Sequence, residues 1–192
     1  AYNLKTANSA ANSRSAQKYL REAVRLDPKF TLAWTLLSFV DARGYLTLTL
    51  QPTAALREEA RQAADTALAL DPGLGEALHA KGYYYYACLK DYETAVRYFE
   101  QARQLLPNSS RIPESLAYVT RRQGQWNRSE PYFKEAQRLD PRNVYVLVQH
   151  AQSLMALRHF PESTQTFDEI LNLTTADIAF IAHRGVQGNG LL

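Results

Sequence analysis

The residue types that most often carry chemistry are few and scattered in this sequence of 192 residues. Its four histidines, at positions 79, 150, 159 and 183, lack the HxxxH or HExxH spacing that places two imidazoles on one face of a helix. The single cysteine, Cys88, excludes a disulfide framework and a cysteine-based zinc site. The stretch GVQGNG, at 185–190, lacks the lysine of a phosphate-binding loop and is expected to be a flexible end. The sequence therefore predicts no enzyme, no metal site and no cofactor.

Groups suited to binding are more frequent than catalytic groups. The stretch KGYYYYACLKDY, at 81–92, holds four consecutive tyrosines, Tyr83 to Tyr86. A strand would send them to alternating faces, and a helix would spread them around most of one turn, so they cannot all serve one surface. Which of them face a core and which face a partner depends on the element that carries them.

Composition limits the classes of partner. With 46% hydrophobic residues, the chain can bury a core and is too apolar to be disordered. Its net charge of +3 includes no run of basic residues, so a nucleic-acid partner is not implied. No apolar stretch approaches the length of a membrane-spanning helix, and the N-terminal residues lack the pattern of a signal peptide. Membrane insertion is therefore not expected, and the sequence favours the cytoplasm without fixing the compartment.

A period organises the chain. The segments RLDPKF, ALDPGL, LLPNSS and RLDPRN place Pro28, Pro72, Pro107 and Pro141 at intervals of 44, 35 and 34 residues. One further step of 34 reaches Thr175, so the last unit keeps the frame but has lost the proline. Because proline cannot continue the hydrogen-bond ladder of a helix, each proline is expected to end one helix and to fix the turn into the next.

Small and bulky residues recur in this frame. Twelve residues before each proline position stand Ala16, Ala60, Ala95, Ser129 and Ser163, and eight before stand Leu20, Ala64, Phe99, Phe133 and Phe167. Six residues after it stand Trp34, Leu78, Pro113, Leu147 and Ile181, and ten after stand Ser38, Gly82, Ala117, Ala151 and Gly185. Within each unit the two positions before the proline are four residues apart, and so are the two positions after it. Each pair therefore lies on one helical face, where a small residue lets a neighbouring helix approach closely. Each unit is therefore predicted to be a hairpin, with helix A after the proline position and helix B ending at the next one.

The segment GEALHAKGYYYYACLKDYETAVRYFEQARQLLP resembles the tetratricopeptide repeat. It carries Leu78, Gly82, Tyr85, Ala95, Phe99, Ala102 and Pro107 where that family has its pattern. The resemblance implies an all-α fold, a right-handed superhelical solenoid of stacked antiparallel helix pairs. It divides a single domain, 1–192, into units of about 1–30, 31–74, 75–109, 110–143 and 144–177, with a partial terminal helix over 178–192.

Two units depart from the family's length. The first is short, so that 1–14 must supply helix A before Ser15–Leu26 supplies helix B. The second carries an insertion near 43–53, whose alternating leucines and threonines favour either an exposed strand that pairs with a partner or leucines that pack on a lengthened helix B, Thr53–Leu70. This combination resembles the tetratricopeptide segments of some bacterial signalling proteins.

The resemblance implies that the protein is an interaction module, scaffold or sensor, which binds a protein or peptide in the concave groove lined by the A helices. The groove positions with binding side chains are Thr35, Phe39, His79, Tyr83, Tyr86, Arg111, Tyr118, Arg121, Arg122 and Tyr145. One repeat position is aromatic in three consecutive units, at Phe39, Tyr83 and Tyr118. These rings either form an aromatic line along the groove or pack against one another between adjacent helices. The arginines suit an acidic partner, unless they form a solvated face. The alternative function is weak self-association through the ends or the convex face.

Overall fold

The computed structural model describes residues 9–188, and their side chains as far as residue 174. Within these residues there are nine α-helices and no strand. We number them α1 Ala10–Leu26, α2 Thr31–Thr47, α3 Ala54–Leu70, α4 Gly75–Tyr84, α5 Tyr92–Leu105, α6 Arg111–Arg122, α7 Trp126–Leu139, α8 Val144–Ala156 and α9 Phe160–Gly188. A π-helical turn, Tyr85–Leu89, continues α4.

Local signals at both ends define the helices. Ser9, Thr53, Asp91 and Asn143 each accept a hydrogen bond in their side chain from a backbone N–H three residues on, which satisfies a donor that the helix leaves unpaired. The four prolines each lie two residues beyond the end of a helix, at α1, α3, α5 and α7. The chain is thereby cut into helices at the repeat period.

The helices pack as neighbouring pairs, α2 with α3, α4 with α5, α6 with α7 and α8 with α9. A continuous core runs between the pairs and includes Phe99, Leu116 and Phe133, all fully buried. Gly82 shows why the small positions are needed, because a Cβ atom there would lie 2.7 Å from the Phe99 ring. Helix α1 packs on α2 through its own smaller clusters, around Ala16 and Val24.

The first unit differs from its prediction. Helix α1 begins at Ala10 and runs unbroken through Ser15, so no turn separates a helix A from a helix B there. Residues 1–8, which the prediction assigned to helix A, lie outside the described residues.

The insertion near 43–53 is not a strand. Helix B is lengthened as predicted, since α3 has 17 residues whereas α5 and α7 have 14 each, and helix A is lengthened too. Helix α2 continues to Thr47, and a short loop leads to α3. In that loop Leu50 is buried against Val40 and Leu56, whereas Leu48 is 73% exposed. One inserted leucine therefore packs on the helices and another faces solvent.

Two predictions about the C-terminal segment also differ from the structure. They are the separate terminal helix over 178–192 and the flexible end at 185–190. Helix α9 is continuous from Phe160 to Gly188, and its residues 185–188 are helical. The reason is Thr175, because a residue that retains its backbone N–H does not break a helix as proline does. Residues 189–192 lie outside the described residues.

Candidate functional site

A cleft of about 870 Å³ is lined by the A helices of four consecutive pairs. Its lining comes from α2, α4, α6 and α8 and from the turns before α6 and α8: Phe39, Arg43, His79, Tyr83, Ser110, Arg111, Glu114, Ser115, Asp140, Arg142, Asn143, Val144, Tyr145 and Val148. A cavity of this size is large enough for several side chains of an extended peptide.

One wall of the cleft is aromatic. The rings of Phe39 and Tyr83 are 4.7 Å apart between centroids, and Phe39 also stacks on the imidazole of His79 at 5.6 Å. Tyr83 lines the cleft but is only 6% exposed, and burial raises the pKa of its hydroxyl. These rings are held by one another and form a preformed apolar contact surface.

His79 and Ser115 are the pair in the cleft that most resembles a catalytic contact. His79 Nε2 and Ser115 Oγ are 2.8 Å apart, the distance of a base and a nucleophile. However, burial and the nearby charge of Arg111 lower the pKa of His79 to about 3. An imidazole with so low a pKa is a weak base at neutral pH, and the contact joins helices α4 and α6.

The cleft also carries charge. The guanidinium of Arg43, from α2, lies over the ring of Tyr145, from α8, at 5.3 Å, so these two side chains meet across the groove. The guanidinium of Arg111 lies over the ring of Phe39 at 5.8 Å. Cations above aromatic faces are favourably placed. The exposed side chain of Arg111 can also donate N–H groups to a ligand.

Glu114 supplies a partly buried carboxyl group between these cations. The Tyr118 hydroxyl donates a hydrogen bond to its Oε1 at 3.0 Å. Burial raises the pKa of Glu114, and the Tyr118 hydroxyl and the neighbouring arginines oppose that rise. Asp140 is the second acidic residue of the lining.

Some predicted site residues lie outside the cleft lining. Thr35 is buried and donates its hydroxyl to the carbonyl of Thr31 at 3.0 Å, within α2. Tyr118 is buried and absent from the lining, with its ring edge-on to Phe133 and to Tyr145 at centroid distances of 5.9 and 6.4 Å. For Tyr118, packing between adjacent helices is therefore the better interpretation.

The adjacent arginines also lie outside the lining. Arg121 donates to the carbonyl and the side-chain oxygen of Gln149 at 3.1 and 2.7 Å, and it lies over the Tyr118 ring at 5.6 Å. It thus joins α6 to α8. The neighbouring Tyr86 hydroxyl raises the pKa of Arg122, and burial raises the pKa of Tyr86.

The predicted set and the cleft share Phe39, His79, Tyr83, Arg111 and Tyr145. The repeat frame did not indicate Arg43, because it lies in the insertion near 43–53, although it is one helical turn after Phe39. It also did not indicate Asp140, Arg142 and Asn143, because only helix A positions were transferred and these belong to the preceding turn. The repeated motif RLDPRN was the signal that could have identified that turn.

Comparisons with known proteins agree with this architecture. The chain is similar to the pilF protein of Pseudomonas aeruginosa, with 25% identity and a TM-score of 0.64 over 84% of this chain and 69% of that one. It is similar to a thermophilic TPR protein of Thermus thermophilus, at 16% identity and a TM-score of 0.71 over 92% and 90% of the chains. YrrB, described as a TPR protein with an unusual peptide-binding site, has 18% identity and a TM-score of 0.55 over 80% and 74%. No family model and no curated protein sequence matches.

The fold and the in-frame repeats define an all-α solenoid of helix pairs, as predicted. The chain has the fold of the tetratricopeptide-repeat proteins to which it is similar. Of its described residues, no cluster of three or more His, Cys, Asp or Glu side chains could hold a metal ion. Over the same part of the chain, no helix combines the length and the apolar character that crossing a membrane requires.

Proposed function

We propose that this protein is a non-enzymatic interaction module that binds an extended peptide segment of a partner protein in the cleft between its A helices. The observation that carries the proposal is the cleft itself, to which four successive A helices each contribute side chains. A peptide that crosses successive helices meets a new set of side chains at each one, so that affinity and specificity accumulate along the groove.

The chemistry of the lining favours a partner that is both apolar and acidic. The wall of Phe39, His79 and Tyr83 fits an aliphatic or aromatic side chain. Arg43, Arg111 and Arg142 outnumber Glu114 and Asp140 in the lining, so the cleft has a positive balance. Arginine pairs with a carboxylate through two parallel hydrogen bonds, which selects Asp, Glu or a C-terminal carboxylate.

The binding test uses charge reversal at one cleft position and at one matched position outside it. A library of extended peptides is selected against the full chain, and the affinity of an enriched peptide is measured by titration calorimetry. Arg111→Glu is expected to weaken an acidic peptide at least tenfold, because a repulsive charge replaces an attractive one. The exposed Arg97, on α5 and absent from the lining, provides the control Arg97→Glu, which should leave the affinity unchanged.

The apolar wall has its own test. Phe39→Ala removes a ring without changing charge and should weaken the same peptide by about 1 to 3 kcal/mol, as truncated anchors commonly do. Enrichment of basic peptides would contradict the acidic partner while leaving groove binding intact. Equal binding by Phe39→Ala, Arg111→Glu and the unmodified chain would place the binding surface elsewhere and refute the proposal.

A further inference from the structure

Helix α6 presents two opposite charges to the cleft without pairing them. Arg111 and Glu114 stand in its first turn, three residues apart, and both line the cleft. Residues at this spacing are neighbours on a helix surface, so the two side chains are within reach of each other. Among the described residues, however, neither of them takes part in an ion pair.

Other glutamates and arginines three residues apart in this chain do pair. The examples are Glu22 with Arg25 and Glu58 with Arg61, each at 2.6 Å, and Glu100 with Arg103 at 3.8 Å. In each of these the glutamate comes first, which is the more favourable order along a helix, whereas Arg111 comes before Glu114. The order in α6 weakens the tendency to pair and leaves both charges for other contacts.

Aromatic residues hold the two charges apart. The guanidinium of Arg111 lies over the ring of Phe39, from α2, at 5.8 Å, and the Tyr118 hydroxyl donates a hydrogen bond to Glu114 Oε1 at 3.0 Å. Arg111 is exposed, and no hydrogen bond within the described residues uses its side-chain N–H groups. The cleft thus offers a cation with free donors and, one helical turn away, a carboxylate with a single hydrogen bond.

The carboxylate of Glu114 lacks a donor rather than a counter-charge. An ionised carboxyl group has two oxygens that accept hydrogen bonds, and Tyr118 is its only donor within the described part of the chain. Its negative charge is already stabilised by Arg43 and Arg111 and is opposed by Asp140. A further cation would be repelled by both arginines, so a neutral N–H is the group that fits beside this half-buried acceptor.

We propose that Glu114 accepts a backbone N–H of the bound peptide while Arg111 pairs with an acidic side chain at the same or the adjacent peptide residue. This inference rests on the proposed function, because it requires an acidic peptide in the cleft. Cβ atoms three residues apart on a helix are about 5 to 6 Å from each other, which is comparable with one or two peptide units of about 3.8 Å each. One residue of the ligand, or two neighbouring ones, can therefore meet both groups.

Such a contact makes Glu114 a determinant of specificity. Every residue except proline has a backbone N–H, so Glu114 should exclude proline and N-methylated residues from the position beside the acidic side chain. Arg111 alone would accept any acidic residue of an extended segment, whatever the backbone next to it. The two residues together therefore select an acidic residue whose neighbouring backbone N–H is free.

N-methylation of the ligand tests the hydrogen bond. The probe is the acidic peptide enriched against the full chain by library selection, with each backbone N–H replaced in turn by an N-methyl group. Titration calorimetry compares the unmodified chain with Tyr118→Phe, which keeps the carboxylate, and with Glu114→Leu/Tyr118→Phe, in which both partners of the existing hydrogen bond become apolar at little cost to the fold. One N-methyl group should weaken binding at least tenfold to the unmodified chain and to Tyr118→Phe, but less than about twofold to the double variant.

A second measurement needs no variant of Glu114. The peptide's acidic residue that pairs with Arg111 is the one whose replacement by alanine makes the affinity insensitive to Arg111→Glu. The N–H that is sensitive to methylation should belong to that residue or to a neighbour. No sensitive N–H, a sensitive N–H further away, or equal sensitivity in the double variant would overturn the inference while leaving peptide binding in the cleft intact. An affinity unaffected by both Arg111→Glu and Phe39→Ala would refute the proposed function itself.

Discussion

Each of the four consecutive tyrosines has a different environment. Tyr83 lines the cleft beside Phe39. Tyr84 has the ammonium group of Lys81 over its ring at 5.3 Å, and Tyr85 stacks on Tyr98 at 5.5 Å between centroids. Tyr86 is buried. A helix that touches neighbours on nearly all sides needs large side chains in every direction, which is why a run of one residue type serves several surfaces.

Asp41 is the most perturbed carboxyl group of the N-terminal region. It is fully buried on α2, where Gln17 from α1 donates to its Oδ1 at 2.7 Å and its Oδ2 has no hydrogen-bond partner. Burial and the charge of Glu59, from α3, raise its pKa to about 8, against the opposing effects of Gln17 and Arg21 from α1. Asp41 is therefore mostly protonated at neutral pH.

This shift predicts how stability depends on pH. Because the folded-state pKa of Asp41 is raised, its contribution is complete below the ordinary pKa near 4 and is lost as pH rises through about 8. Urea unfolding should show a free energy that falls between these values, by at most about 1.4 kcal/mol per pH unit. Asp41→Asn should flatten that slope, whereas the control Asp168→Asn, at an exposed site, should not. Parallel slopes for all three proteins would contradict the burial of a protonated Asp41.

At the scale of the element, the same backbone turn closes every helix pair. The residues with positive φ in the described chain are Leu48 at 59°, Lys90 at 58°, Gly124 at 78° and Arg158 at 62°. Each lies between helix A and helix B of one pair. The left-handed conformation favours glycine, yet only one of the four turns has it. The other three hairpins close at some cost in backbone strain.

Relieving that strain should stabilise the protein. Leu48→Gly removes the Cβ penalty and loses little packing, because Leu48 is 73% exposed, so we expect a gain of about 0.5 to 1 kcal/mol in the free energy of unfolding. Gly124→Ala is the reciprocal change and should lower the free energy of unfolding by a similar amount. A Cβ atom there would meet no atom within 4 Å, so the backbone strain of a positive φ is the only cost. Denaturant melts of both variants measure the two effects. Destabilisation by Leu48→Gly would show that the turn is not held at positive φ.

The π-helical turn Tyr85–Leu89 is a second feature at this scale. Pro72 and Pro107 are 35 residues apart, one more than the interval that follows. A π turn spans one residue more than an α turn, so it accommodates a single extra residue without shifting the helices on either side. The third unit thereby keeps its groove residues in line with those of the other units.

At the scale of the whole molecule, stability should be greatest in the middle. The continuous core reaches from Ala42 to Val146 and includes the fully buried rings of Phe99 and Phe133. Helix α1 packs mainly on α2 and exposes Tyr19 and Leu26. In a solenoid each element is stabilised chiefly by its neighbours, so α1, which packs on one side only within the described residues, is expected to open first.

Hydrogen exchange can measure this gradient. We expect the amides of α1 to exchange at least tenfold faster than those of α4, α5 and α6, because α1 opens without unfolding the central core. The measurement is native-state exchange followed by mass spectrometry of peptides from each helix. Equal protection of α1 and α5 would indicate that the molecule unfolds as one cooperative unit.

The sequence by itself determined the fold class and the phase of the repeats. Proline spacing and the small residues near Gly82 and Ala95 are local properties, because a proline ends a helix and a small side chain permits close packing wherever they stand. The bounds of the helices next to prolines were therefore predictable. Where Thr175 replaces the proline, the same logic should have indicated a continuous helix.

Only the tertiary structure decided which groove positions remain open. The repeat frame assigns Phe39, Tyr83 and Tyr118 to equivalent positions, yet Phe39 and Tyr83 line the cleft and Tyr118, which is buried to the same degree as Tyr83, does not. Arg43 enters the same cleft from the insertion, more than one hundred residues before Tyr145 in the chain. Periodicity specifies the direction of a side chain from its own helix, but the curvature that brings helices α2 and α8 together depends on the summed packing of every pair between them.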